Sequence, residues 1–557
     1  MTISNQAPRA LAARQSLSAP VINHNSWRFG DLAAAQLLPL LQCYLLAQNA
    51  AINWQLIWLN NDGCPVIGLL PKVSWQVFFN TAGASTASYQ VLKTQRLNTL
   101  TTRTDMSYSE WQNELIAYSQ TYDNSTDFAA KNTGYHHGLM GFIGYDIAAQ
   151  ALSPNTDIAI AEQPCAVLGH YDIYLTPVAV NNDDNNPQNL WQLTIKDTHF
   201  SKKADNTEPE ITQLIDCLNR LDKELSSHDK TKISLQPLPL APLLLTAKWH
   251  KKDYQRAFMQ TQNYLQQGDC YQINLTQVWQ AQFKYVPNQP TVMPLITYLP
   301  ALHANTQAPF AGYISTYWLD NKKSDAHLAH SFELLSCSPE LFFTFITDKP
   351  TGAHHIRTKP IKGTQPRGQN AKQDANLKQQ LIDSAKDRSE NLMIVDLLRN
   401  DLGKYAETGS VKVPQLFEIE SFSNVHHMVS TITAKLKPDA HPLAVLFGSL
   451  PAGSITGTPK KRAVEIISEL EQTARGAYCG TLGYMNFEGS GQWNVLIRSL
   501  QANHLANGDK HISLWAGGGI TIASSCADEY QECLDKVGNL LAVLKQPAGS
   551  QIGLIVK

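Results

Sequence analysis

The chain has 557 residues, 43% of them hydrophobic and 17% charged, enough for several domains or one large enzyme body with a sizeable core. Forty-five Lys and Arg stand against 47 Asp and Glu, so there is no basic excess to neutralise a nucleic-acid backbone or an anionic membrane surface, and neither partner is expected. Nine scattered cysteines, odd in number and never spaced Cys-x-x-Cys, argue against a disulfide framework and a thiolate zinc site.

Residues 1–20 read as a loose leader with no continuous apolar core ahead of a cleavage site, and the later apolar run Ala33 to Ala47 is short and interrupted by Gln36 and Gln42. A cytoplasmic protein is expected. Residues 21–200 form an expected N-terminal domain in which apolar runs alternate with Gly, Asn and Asp clusters, most clearly in GLMGFIGYDI, Gly138 to Ile147. Residues 201–245 read as a linker or insertion around one helix, Glu208 to Leu225, ending in QPLPLAP. The segment 246–546 is the expected catalytic domain, and 547–557 a tail. In the catalytic domain Tyr254, Ala257, Phe258, Tyr264 and Leu265 recur at helical spacing until Gly268, and YQINLTQVWQ then reads as a strand. Glu333 to Ile346 predicts a strand pair broken at Pro339, and Ala371 to Lys404 is helix-rich, followed by strands VPQLFEIESF and HHMVSTITAKL. Thr458 as N-cap and Pro459 at the first helical position open a helix with an Ala463, Ile466, Ile467, Leu470 stripe. A hairpin turns at Glu488-Gly-Ser-Gly, a strand from His511 to Ala516 runs into Gly517-Gly518-Gly519, and a helix spans Ala527 to Leu544. Strands and helices out of strict alternation favour an α+β fold.

Four features of this segment can carry chemistry. Asp387 and Glu390 lie three apart on one predicted helix, and Glu529 and Glu532 three apart on another. Turned together, these faces offer a hard cation such as Mg²⁺ its oxygen ligands; taken alone, they are solvated helix surfaces. Lys362 in PIKGT is held in a short apolar segment stiffened by Pro360, as suits a nucleophile or base, or simply a turn lysine. GSITGTPK (Gly453 to Lys460, with Thr456) and AGGGI (Ala516 to Ile520) join regular elements, and each is either an anion cradle or a tight turn. Neither fits a nucleotide-binding fingerprint. Arg498 alternates with Leu496 and Leu500 in WNVLIRSLQA, and is either a carboxylate clamp or the solvent-reaching end of a strand.

In order along the chain, GDCYQINLTQ, SCSPELFF, TKPIKGTQPRG, DSAKDRSENLMIVDLLRNDLGK, VHHMVSTI, GSITGTPKKRAVEIISELE, GAYCGTLGYM, IRSL, AGGGI and DEYQECLDK resemble the chorismate-utilising enzyme family from about Trp249 to Leu544. WQVFFNTAGAS and GLMGFIGYDI add a weaker resemblance to its N-terminal domain. The resemblance implies the anthranilate-synthase type of body, two sheet-and-helix layers with large mixed or antiparallel sheets flanked by helices and the chorismate site between them. Lys362 marks the branch that replaces the ring hydroxyl at position 4 by nitrogen, where anthranilate-forming members carry Ala. Gln272 stands where isochorismate and salicylate synthases place a water-activating Lys, which speaks against water as nucleophile. Phe78-Phe79-Asn80-Thr81 replaces the Leu-Glu-Ser element of tryptophan-inhibited relatives, so tryptophan feedback is not expected.

Carried over residue by residue, the resemblance makes Glu390 and Glu532 the Mg²⁺ ligands, with Glu529 and Asp387 in support, and gives the ring carboxylate of chorismate to the metal and Lys536. Tyr478 and Arg498 match the residues that bind the enolpyruvyl carboxylate. Gly363, Thr364, Thr456 and the Gly517, Gly518 and Gly519 amides fall in segments that line the ligand, and His427 is placed on the enolpyruvyl side as a positioning group. Lys362 is the implied nucleophile and Glu340 the acid that protonates the departing hydroxyl. Nothing in the chain resembles a glutaminase, so a glutamine amidotransferase subunit is the implied source of ammonia, and the product, 4-amino-4-deoxychorismate, leads to 4-aminobenzoate and folate. An anthranilate-forming enzyme and a catalytically silent relative are the rival readings.

Overall fold

The chain, seen in a computed structural model, is described over residues 22–556 apart from 49–54, 81–87, 97–99, 123–133, 179–189, 197–208, 227–234, 239–241, 285–293, 319–329, 349, 423–424, 506 and 547–552. The expected leader, residues 1–20, and positions 322–329 of the stretch 322–330, which is expected as an insertion, lie outside the described residues.

Seven strands and three helices build the site: β1 (Gln272–Phe283), β2 (His330–Ser336), β3 (Leu341–Thr347), β4 (Ile361–Pro366), β5 (Val425–Lys435), β6 (Ser499–His504), β7 (Lys510–Thr521), α1 (Ala385–Gly403), α2 (Lys460–Glu471) and α3 (Cys526–Lys545). Period-two apolar patterning places them in two large sheets, each with 12 strands among the described residues. The first sheet runs from strands of the N-terminal 200 residues through Gly312–Trp318 to β2, β6, β7 and β1. The second runs from β4 and β5 through β3 and the hairpin Thr481–Asn486 and Gly491–Asn494 to Gly138–Ile143 and further N-terminal strands. The first 200 residues thus extend both sheets.

The sheets face each other across Ile57, Ile314 and Phe332 on one side and Met140, Phe142 and Leu482 on the other, all at most 1% exposed. Helices close the outer faces. Within the 201–245 segment, helix Pro209–Leu225 turns a stripe of Ile211, Leu214, Leu218 and Leu221 onto the first sheet, and all four are fully buried. Each buried Leu or Ile contributes about 1.5–3 kcal/mol, and the charged residues of this helix, such as Asp216, Arg220 and Lys223, occupy its other positions.

Three local expectations are corrected. The helix expected to begin at Pro459 has Pro459 as its N-cap and starts at Lys460, because Gly457 and Thr458 pair with Ile273 and Gln272 of β1. Gly517 to Gly519 do not end their strand: β7 runs on to Thr521, paired residue by residue with β1. A Cβ on Gly517 would stand 2.2 Å from the Leu275 carbonyl oxygen, so the glycines let two backbones approach. Arg498 belongs to no strand. It sits at φ +50° in the irregular link before β6, and this breaks the alternation assumed with Leu496 and Leu500.

A buried ion pair joins these parts. Arg475, just beyond α2, donates to both carboxylate oxygens of Glu471 at 2.8 and 2.7 Å, and to the backbone oxygens of Asn274 and Ile455. Glu471 in turn accepts from the backbone N–H and hydroxyl of Thr276 on β1. Removing one partner of such a pair leaves the other charge uncompensated in the interior. Glu471→Ala is therefore expected to cost about 3–5 kcal/mol, read as a lowered denaturant midpoint at unchanged slope.

A second buried cluster titrates. His137 and His170 share a ring-nitrogen hydrogen bond of 3.0 Å, and the Tyr118 hydroxyl bonds the other nitrogen of His170 at 2.8 Å. Burial, then Lys196, lowers His137 to about 4, and burial, then His137, lowers His170 well below its ordinary value. The folded state holds both neutral while the unfolded chain takes up protons below about 6.5, so stability falls as pH drops through that value. Between pH 7 and pH 5 urea denaturation should register a loss of about 2 kcal/mol per histidine; a flat profile contradicts neutral burial.

Candidate active site

The ends of β1, β4 and β7 and the first turns of α1 and α3 enclose a cavity of about 500 Å³, within the usual size of a small-molecule site. Lys362 reaches it from β4, which pairs with β5 through Ile361 opposite Val429 and Thr364 opposite His427, with a register shift between. Gly363 occupies that shift at φ +84°, and a Cβ there would stand 2.8 Å from Cγ of Asp387. Only glycine allows both the backbone and the approach of α1. The Lys362 ammonium lies 3.9 Å from Oε2 of Glu390.

Glu340 follows β2 in the Ser338-Pro339-Glu340 turn and is 7% exposed. The Ser454 hydroxyl donates to its Oε1 at 3.2 Å. Burial pushes the carboxyl up to about 7 against the attraction of Lys362 and the Ser454 bond, so near neutral pH it has a proton to give.

The carboxylates expected to hold a metal come from α1 and α3. Glu390 and Glu529 are buried, whereas the Glu532 side chain is half-exposed. Burial pushes Glu532 up, but Lys536 at 2.7 Å outweighs it and holds the group below its ordinary range. Burial, reinforced by Glu529 and Glu532, outweighs Lys362 and Lys386 at Glu390 and raises it. Among the described residues no three acids are gathered closely enough to enclose an ion; Lys362, Lys386 and Lys536 stand among them. Lys536 also donates to the Gly517 carbonyl at 2.8 Å. Gly518 faces this group, for a Cβ on it would stand 2.9 Å from a Glu529 oxygen and 3.8 Å from a Glu532 oxygen. Asp387 lines the same cavity.

The opposite wall carries Tyr478, Arg498 and His427. Tyr478 is buried, stacked on Trp515 with ring centroids 5.8 Å apart, and burial drives its hydroxyl well above the ordinary range. Arg498 is half-buried and makes no ion pair among the described residues, although burial alone penalises its charge. Such a guanidinium suits a ligand carboxylate. Burial, then Arg498, lowers His427 to about 4, leaving it neutral and hydrogen-bonded to the Thr364 hydroxyl at 2.8 Å.

Two expected residues stand apart from the cavity wall. The Thr456 hydroxyl donates to the Ala452 carbonyl within its own turn. Gln272 is fully buried behind Gly519, whose Cβ would stand 2.5 Å from Nε2 of Gln272 and 3.1 Å from the Lys362 ammonium; neither amide atom of Gln272 has a hydrogen-bond partner. Sequence reasoning missed Ser454, which bonds Glu340 across 114 positions with no local signal, and Lys386, which was legible four residues before Glu390 on α1.

The chorismate binding enzyme family matches residues 79–542. Aminodeoxychorismate synthase component 1 of Salmonella typhimurium is 35% identical over 421 residues, 74% of this chain and 77% of that protein. Its counterpart from Klebsiella aerogenes is 41% identical over 58% of this chain and 67% of that protein. Anthranilate synthase component 1 of Pseudomonas aeruginosa is 30% identical over 72% of this chain and 73% of that protein. Among solved structures, anthranilate synthase component I from Streptococcus pneumoniae superposes with a TM-score of 0.60 at 22% identity, covering 86% of this chain and 91% of that one; this likeness speaks to the α+β fold alone. With one family spanning both sheets and every element of the cavity, the chain belongs to the chorismate binding enzymes.

Proposed function

We propose that the chain catalyses the aminodeoxychorismate synthase reaction, converting chorismate and ammonia into 4-amino-4-deoxychorismate for 4-aminobenzoate and folate synthesis. The observation that carries this reading is one cleft in which the Lys362 amine faces the protonatable Glu340 and the acids of α1 and α3. The 35% and 41% identical relatives named for this reaction support it over the anthranilate reading at 30%.

In this mechanism the free amine of Lys362 forms a bond to ring carbon 2, both double bonds of the ring diene shift round the ring, and the position-4 hydroxyl departs as water on the proton held by Glu340. Ammonia then bonds to carbon 4, both double bonds return to their first positions and the Lys362 amine is released. The enolpyruvyl group stays on the ring. Tyr478 and Arg498 bind the enolpyruvyl carboxylate, His427 and Thr364 position that side, Lys536 steadies the ring carboxylate, and the backbone of Gly517, Gly518 and Gly519 lines the ligand. Glu390 and Glu532, supported by Glu529 and Asp387, suit Mg²⁺: all are oxygen donors, and Oε1 of Glu390 is buried without a hydrogen-bond partner. When bound there, the ion supplies Lewis-acid polarisation of the ring carboxylate.

A glutamine amidotransferase subunit is the proposed ammonia source, supported by the words "component 1" in the relatives' names. The nine cysteines, none in a disulfide, support a reducing, cytoplasmic setting. No helix among the described residues is long and apolar enough to cross a membrane.

Incubated with chorismate, Mg²⁺ and ammonium, the purified chain should yield a product that keeps the enolpyruvyl group and that an added lyase converts to 4-aminobenzoate, identified by mass spectrometry. Lys362→Ala should abolish it. Anthranilate and pyruvate from the unaltered chain would instead establish the anthranilate reading, and untouched chorismate the silent one.

Glu340→Gln keeps the shape of the turn and removes the proton. It should lower kcat by about 10²–10⁴. Because the acid form of Glu340 is lost as pH rises through about 7, the unaltered enzyme should show an alkaline fall in kcat that the variant's residual rate lacks, measured at saturating substrates.

A further inference from the structure

The acids of α1 and α3 are already partnered by a cation that the proposed reaction does not use. Lys386 projects from the first turn of α1, one helical turn before Glu390, and its ammonium donates to Oε1 of Glu529 at 3.1 Å. It also stands 3.9 Å from Oε1 of Glu390, the buried oxygen that no hydrogen bond satisfies. It is the group that bridges the two helices' carboxylates. We infer that Lys386 is a tethered counter-cation: it holds Glu390 and Glu529 together in the metal-free protein, a divalent ion displaces it, and it thereby sets how tightly that ion binds. This rests on the reading of Glu390 and Glu532 as metal ligands.

Three observations carry the inference. The other two lysines of the cluster do not bridge the helices: Lys536 pairs with Glu532 of its own helix at 2.7 Å and bonds the Gly517 carbonyl, and Lys362 is set in the cleft with only 16% of its side chain exposed. Lys386 is 46% exposed, so its flexible stem can carry the charge into solvent without unpacking anything. The contact to Glu390 is a loose one: the attraction is there, but the oxygen's lone pairs are unmet. A divalent ion brings twice the charge and direct ligation to such an oxygen. Displacing Lys386 breaks its pair with Glu529, so the observed affinity is weaker than the carboxylates alone would give.

The test is Mn²⁺ binding to the full chain without chorismate, followed by the resonance of free Mn²⁺, with Mg²⁺ as competitor. Lys386→Met should bind about tenfold more tightly, a factor equivalent to about 1.4 kcal/mol. Lys386→Arg, which keeps the charge, should bind as the unaltered chain does. In chelator, Lys386→Met should melt below the unaltered chain, and Mg²⁺ should raise its melting temperature by more. Equal or weaker binding by Lys386→Met, or tightening by Lys386→Arg as well, overturns the inference while Glu390→Gln still abolishes binding and so upholds the metal site. If Glu390→Gln binds like the unaltered chain, the metal reading itself fails and the role of Lys386 falls with it.

Discussion

The Glu471–Arg475 pair is the fixed point from which the cleft is hung. Both side chains are at most 2% exposed, and beyond each other they bond Thr276 and Asn274 on β1 and Ile455 in the turn before α2. The backbone of Arg475 continues the network, with its N–H donating to Asp146 of the N-terminal segment and its carbonyl accepting from Gln501 on β6. Tyr478 lies three residues on. A buried charge pair tolerates little error in the position of its partners, so this pair ties the first sheet and the helix Tyr145–Leu152 to the wall of the cavity. The cost of desolvating it is offset only if all these elements arrive together.

The same physics, applied unevenly, separates the acids that face the ligand. Glu340 has one hydroxyl donor and a dry turn, and burial prevails. Glu532 has the same kind of carboxyl, yet an ammonium at 2.7 Å prevails over burial. One acid is therefore suited to give a proton and the other to hold a cation, without any difference in residue type. Arg498 and His427 extend the division across the cavity: a guanidinium that forms no ion pair within the described chain lines it, while the imidazole beside it stays neutral and adds no second charge.

How much of this was legible from sequence depends on the range of the interactions concerned. The helix Pro209–Leu225 was visible because its apolar period is local, but that Ile211 and Leu218 are fully buried could not be read from a segment whose average composition is charged. The Asp387/Glu390 and Glu529/Glu532 spacings placed each pair on one helical face; that α1 and α3 turn those faces toward one cavity is a tertiary fact, supplied here by β4 and β7. Ser454 had no signal, since a serine in a glycine-rich turn says nothing about a carboxylate 114 residues earlier. The error at Gly517 to Gly519 has a single cause. Glycine runs usually mark turns because of their conformational freedom, whereas here the missing Cβ atoms are what matters and the backbone stays extended.

That reversal explains where the cavity comes from. A pleated sheet between helices normally fills its face with side chains, and β1 and β7 do so along most of their length, as at Leu275, Val278 and Leu514. At Gly517 to Gly519 the filling stops. A methyl group on Gly518 would press on the Glu529 carboxylate, and one on Gly519 would meet Gln272 and the Lys362 ammonium. The space of the cavity is therefore made by omission on one strand, and the charges that line it are brought by α1, α3 and β4 to the edge of that omission. A cavity of this kind costs the first sheet very little regular hydrogen bonding, because β7 stays paired with β1 through all three glycines. It leaves the cavity with backbone on one side and ionisable groups on the other.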